Sequence, residues 1–173
     1  MDSTGRQNNV FFGMMLLLTT EAMFFSGLIS AYLVARGNAA VWPPADQPRL
    51  PMFITAINTM ILVLSGLTAV VSFRKKSVRL MILAAVLGLL FLLIQGSEWV
   101  RMLSFGLTTV SSIYGAFFYL IVGAHGIHVA AGLLLLLLLL WKTKSGSVWI
   151  AGTIYWAFVV AIWPVLYFLV YIL

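Results

Sequence analysis

Residues 113–141 read IYGAFFYLIVGAHGIHVAAGLLLLLLLLW, a stretch without a charged side chain that closes on eight consecutive leucines and a tryptophan. A transmembrane β-strand alternates apolar and polar residues over a short run, and the unbroken apolar run Gly132 to Leu140 excludes that pattern. A hydrocarbon core ~30 Å thick needs about 20 apolar residues in an α-helix, so Ile113 to Trp141 is long enough to span with some tilt. Four other segments read the same way: Val10 to Ala35, Met52 to Phe73, Leu80 to Leu103, and Ser147 to Leu173. The expectation is an all-α membrane protein, a bundle of five transmembrane helices that forms one membrane domain over residues 1–173.

The rest of the chain agrees with that reading. Of its 173 residues, 63% are hydrophobic and 8% charged, against roughly a quarter charged in soluble domains. The connections are Arg36 to Pro51, Arg74 to Arg79, Ser104 to Ser112 and Lys142 to Gly146, too short for a soluble domain. Trp42-Pro43-Pro44 and Pro48 forbid a continued helix in the first of them. The first apolar segment is too long for a cleavable signal peptide, holds Glu21, and lacks an A-x-A site after a short apolar core. Cysteine is absent, which excludes disulfides, iron–sulfur clusters, thiolate metal sites and cysteine nucleophiles.

The formal net charge is +6, yet the basic residues lie between apolar runs and point to membrane topology, not nucleic acid. Arg6, Arg74, Lys75, Lys76, Arg79, Lys142 and Lys144 share one side; Arg36, Arg49 and Arg101 share the other. Cytoplasmic loops carry the excess of Lys and Arg, so the N-terminus is expected inside and the C-terminus outside.

Polar groups within the spans are few. Glu21 lies almost midway along the first segment, where a carboxyl is costly and normally faces protein or water. Two readings stay open: a proton- or lipid-headgroup-related site, or a neutral acid that joins two helices. Glu98 lies near the end of the third segment, with Gln95 three residues before and Arg101 three after, at the spacing of an intrahelical pair; a pairing with a neighbouring helix is the alternative. His125 and His128 lie within about 60° of each other on one helical stripe. Zinc usually takes three or four ligands, and axial haem ligation across a bundle needs histidines on different helices, so interhelical hydrogen bonds are the expected role and no metal site is. Ala22, Ser26 and Ser30 recur at four-residue spacing, as do Gly126 and Ala130; small residues so placed let helices approach closely. No phosphate loop, nucleophile elbow, catalytic triad or interrupted helix pair is present.

From about Phe12 to its end, the chain resembles subunit III of the haem–copper terminal oxidases in its short five-helix bacterial form. The residues that carry the resemblance are Glu21-Ala-Met-Phe-Phe25 with Ala31-Tyr32, Trp42-Pro43-Pro44, Asn58-Thr59 with Ser65-Gly66, Gln95-Gly-Ser-Glu98-Trp99, Tyr114-Gly115 with Phe117-Phe118 and Gly123-Ala-His125-Gly126-Ile-His128-Val129, and Tyr155-Trp156 with Phe158-Val159, Trp163 and Tyr167. The family usually carries His and an acid where Ala157 and Val160 stand, and a His where Val71-Ser72-Phe73 stands.

The resemblance implies a non-catalytic subunit in the bacterial inner membrane, with no cofactor of its own. Haem and copper would belong to subunit I, with a further copper centre in subunit II when cytochrome c, and not quinol, is the electron donor. It also implies packing on subunit I, bound phospholipid, and support of proton uptake and turnover stability. Glu21, Glu98, His125, His128, Gln95 and Asn58 would be the buried polar groups that serve those roles. An accessory protein of nitric oxide reductase, from the same superfamily, and a small transporter are the alternatives.

Overall fold

The computed structural model describes residues 3–142 and 146–173. Lys144 lies outside the described residues, and so do the side chains of Arg6, Trp141 and Lys142. Five helices account for most of the rest: α1 (Ser3–Gly37), α2 (Met52–Lys75), α3 (Val78–Ser104), α4 (Ile113–Lys142) and α5 (Gly146–Tyr167). A π-helical turn, Phe168–Ile172, continues α5. All five helices are long and apolar enough to cross a membrane, and no strand occurs among the described residues.

Helices α2 and α3 form an antiparallel hairpin, and α5 lies against α1, α2 and α4. Helix α4 also meets α3 and, more lightly, α1. The start of α1, the α2–α3 turn and the start of α5 share one side, here the turn side. The α1–α2 loop, the α3–α4 loop and the end of α5 share the other, the loop side.

Large aromatic side chains on α5 are the centre of the packing. Trp156 is fully buried, with its ring between Gly88 of α3 and Gly132 of α4. A Cβ at either glycine would lie 2.6 or 2.8 Å from that ring. Its indole N–H donates to Ser65 Oγ at 3.1 Å, and Ser65 in turn donates to the Ala84 carbonyl at 2.7 Å. Three helices are thus tied through one tryptophan. Val160 fills the notch at Gly66, where a Cβ would meet its Cγ1 at 2.8 Å.

Helix α1 packs through Met14, Leu18, Glu21, Phe25, Leu28 and Tyr32. Their three- and four-residue steps make one stripe on a 3.6-residue helix. At the loop side, Tyr32 donates to the Leu169 carbonyl at 3.0 Å, and Arg36 donates to the Leu173 carbonyl. The π-turn widens the backbone there, and α1 supplies donors for the carbonyls of that last segment.

Candidate functional site

Two separate polar sites emerge from the expected residues. The first joins α1 and α4 near the middle of both spans. Glu21 Oε2 lies 2.6 Å from His128 Nε2, and both side chains are about one-fifth exposed. His128 Nδ1 lies 2.6 Å from the Ala124 carbonyl. A carbonyl only accepts, so Nδ1 carries a hydrogen and donates it. The contact between Nε2 and Oε2 then holds one further proton, as carboxylic acid with imidazole or as carboxylate with imidazolium. Either way the pair is neutral overall, which is what the interior of a membrane tolerates.

Phe25 packs edge-on to the His128 ring at 5.1 Å, and Phe24 lies 6.0 Å from it. Thr20, Glu21, Phe24 and His128 line an open pocket of about 360 Å³ on the outside of the bundle.

The second site is a buried amide–phenol chain toward the loop side. Asn58 donates to the Phe91 carbonyl at 3.1 Å and to Gln95 Oε1 at 3.4 Å. Gln95 donates to the Tyr171 hydroxyl at 3.0 Å. Helices α2 and α3 are thereby connected to the π-turn, which carries Tyr171 inward. Glu98, one turn beyond Gln95, sits 3.9 Å from Arg101 Nη1; its Oε2 is buried with no partner among the described residues.

His125 belongs to neither site. It is 1% exposed, stacked on Trp163 at 4.7 Å and edge-on to Phe25 and Phe91. Neither ring nitrogen has a hydrogen-bond partner among the described residues. The interhelical hydrogen bond expected of both histidines is therefore made by His128 alone. The reason is angular: the ~60° between the two positions turns His128 toward α1 and His125 into the aromatic centre.

The small-residue positions of α1, expected against another helix within the chain or in a partner, meet none within the chain. Ala22, Ser26 and Ser30 are exposed and face away from the other four helices. They do not pack within this chain, because α1 buries its opposite face. Gly126 and Ala130 face a groove of about 350 Å³ between α3 and α4, bordered by Gly96 and Trp99. A Cβ at Gly126 would meet nothing within 4 Å.

The residues that stand out in the sequence are those with charged, amide or imidazole side chains. Tyr171, Tyr32 and the bond from Trp163 Nε1 to Thr59 Oγ1 at 2.9 Å are not among them. A tyrosine or tryptophan near a helix end is generic in membranes, so only the packing discloses that these reach inward. Among the described residues, no three His, Cys, Asp or Glu side chains gather as a metal-ligand group. With His128 held by Glu21 and His125 enclosed by aromatic rings, the two histidines do not fit a haem or copper site.

These features define a class: a multi-pass, all-helical membrane protein with isolated buried polar groups and no assembled ligand set among the described residues. The family model described as cytochrome c oxidase subunit III matches residues 3–173. The cytochrome c oxidase subunit 3 of Synechocystis sp. is 34% identical over 94% of this chain and 75% of its own length. That of Thermostichus vulcanus is 35% identical over 93% of this chain and 86% of its own. The probable cytochrome c oxidase subunit 3 of Mycobacterium leprae is 34% identical over 98% and 90%. The chain belongs to the cytochrome c oxidase subunit III family.

Proposed function

We propose that this chain is the non-catalytic subunit III of a respiratory haem–copper terminal oxidase, in the cytoplasmic membrane of a bacterium. In this reading residues 1–173 act as one membrane domain, with the N-terminus inside and the C-terminus outside. The observation that carries the assignment is the family match across nearly the whole chain. Subunit I would hold the haems and copper, and subunit II would complete the complex.

The outward face of α1, with Ala22, Ser26 and Ser30 exposed, is the surface on which a helix of subunit I would pack, because small residues allow close approach. Glu21 and His128 would then lie at or beside that contact. Their shared proton suits a supporting role in proton uptake, and the open pocket beside them suits a lipid headgroup or chain. Glu98, Gln95, Asn58 and His125 would maintain the helix arrangement that positions this pair.

The test is purification in mild detergent with identification of the accompanying chains, a haem spectrum and oxygen turnover. A haem–copper subunit that accompanies the chain and reduces oxygen supports the reading. A partner that reduces nitric oxide replaces it with the accessory protein of that reductase. Glu21→Gln should leave assembly and the haem spectrum unchanged while turnover falls or inactivation quickens. Unchanged turnover and inactivation would leave Glu21 with a helix-joining role alone.

A further inference from the structure

On the turn side, α2 ends at Lys75 and α3 begins at Val78. Lys76 adopts φ 49°, the single positive-φ residue other than glycine among those described. Helix ends commonly place glycine in that left-handed conformation, because a Cβ is crowded there. The turn is nevertheless firmly held. The Lys76 N–H donates to the Phe73 carbonyl at 3.3 Å, and the Ser77 N–H to the Ser72 carbonyl at 3.1 Å. Buried Ser72 donates from its hydroxyl to the Ser77 carbonyl at 2.8 Å. A lysine therefore stands at the tip of a rigid turn where glycine would fit the backbone better.

Its neighbours repeat the charge. Arg74, Lys75, Lys76 and Arg79 are all exposed. No acidic residue occurs between Asp46 and Glu98 in the sequence, and both of those lie on the loop side. The ion pairs among the described residues are Glu98 with Arg101 and Glu21 with His128, so these four cations have no paired anion among them. Immediately below them, Val71, Phe73, Val78 and Ile82 are exposed. That surface consists of large apolar side chains. Cations at the end of a helix hairpin, above a surface that acyl chains can wet, match the layered chemistry of one kind of partner: phospholipid with an acidic headgroup.

We propose that the α2–α3 turn is a binding site for anionic phospholipid. Arg74, Lys75, Lys76 and Arg79 hold the phosphate, while Val71, Phe73, Val78 and Ile82 lie along the acyl chains. The arginines offer paired N–H donors to phosphate oxygens and the lysines act as point charges. This site requires neither the Glu21–His128 pair nor a particular catalytic partner. It also holds for either orientation of the chain in the membrane.

The test uses the full chain, with whatever subunits accompany it, in phosphatidylcholine vesicles that contain phosphatidylglycerol. A photoreactive phosphatidylglycerol and a photoreactive phosphatidylcholine are compared, and the labelled peptides are mapped. The acidic probe should label residues 71–82 in preference to the zwitterionic one. Each cation removed, in Lys75→Gln or Arg79→Gln, should lower that labelling about fivefold at low salt, and raised salt should have the same effect. Lys76→Gly separates charge from folding, because it relieves the left-handed strain. Its thermal midpoint should hold or rise while labelling falls. Equal labelling by both probes, or labelling that ignores these substitutions, would overturn the proposal. So would a carbodiimide cross-link from these cations to an acidic segment of another chain, which would make the turn a protein contact.

Discussion

His125 and His128 stand three residues apart on α4 and live in different environments. His128 shares a proton with Glu21 across a helix interface, beside an open pocket. His125 is sealed between Trp163, Phe25 and Phe91 with both nitrogens unpartnered among the described residues. The same residue type therefore acts as an ionisable partner in one place and as a flat aromatic filler in the other. Spacing along a helix assigns a direction, and the element met in that direction decides the chemistry.

The largest expected effect comes from a charge at the sealed position. His125→Glu should cost about 3 kcal/mol or more, seen as loss of the folded subunit after detergent extraction. His125→Phe should melt at or above the parent midpoint, because it removes two unpartnered nitrogens and keeps the ring stack. Each such buried group carries a penalty of about 1–3 kcal/mol. A midpoint many degrees lower would mean that the nitrogens are satisfied after all, and the contrast would collapse.

Next comes the paired position. His128→Phe strands Glu21 in the membrane without its partner and should cost about 2 kcal/mol. Glu21→Gln can still donate to His128 Nε2 and should cost about half as much. Equal losses in thermal dissociation would show that the two groups do not depend on each other.

Chemical labelling sharpens the comparison further. A hydrophobic carbodiimide should modify Glu21, which borders an open pocket, ahead of Glu98, whose side chain is 10% exposed. Preferential reaction at Glu98 in the intact complex would reverse the assignment of which carboxyl is accessible from the membrane.

The smallest effects concern Phe25, the ring that borders both histidines, and its neighbour. Phe25→Leu should cost about 1 kcal/mol, whereas Ser26→Leu should change the stability of the chain itself by less than about 0.5 kcal/mol. Ser26→Leu should instead weaken retention in the complex. If the isolated chain melts equally low with both, the outward face of α1 is buried in a way that the fold does not display.

Much of the architecture is legible in the amino-acid sequence. The unbroken apolar run of α4 and its four counterparts state five spans, because a bilayer allows its backbone polar groups no partner but the helix itself. Glu21, Gln95, Asn58 and the histidines stand out for the same reason: each is expensive in hydrocarbon. Which of them meet is not legible there. Glu21 and His128 are 107 positions apart, and Gln95 and Tyr171 are 76 apart. No helical period links residues on different elements. The small-residue ladder of α1 is readable as a packing face, but its direction is not, since α1 could turn either face toward its neighbours. Composition and periodicity, which act locally through the membrane as solvent, therefore determined the helices and their apolar surfaces. The proton-sharing pair, the sealed histidine, the π-turn tyrosine and the outward ladder were decided by how α5 and its buried tryptophans seat the other helices, because only packing brings distant residues within hydrogen-bond reach.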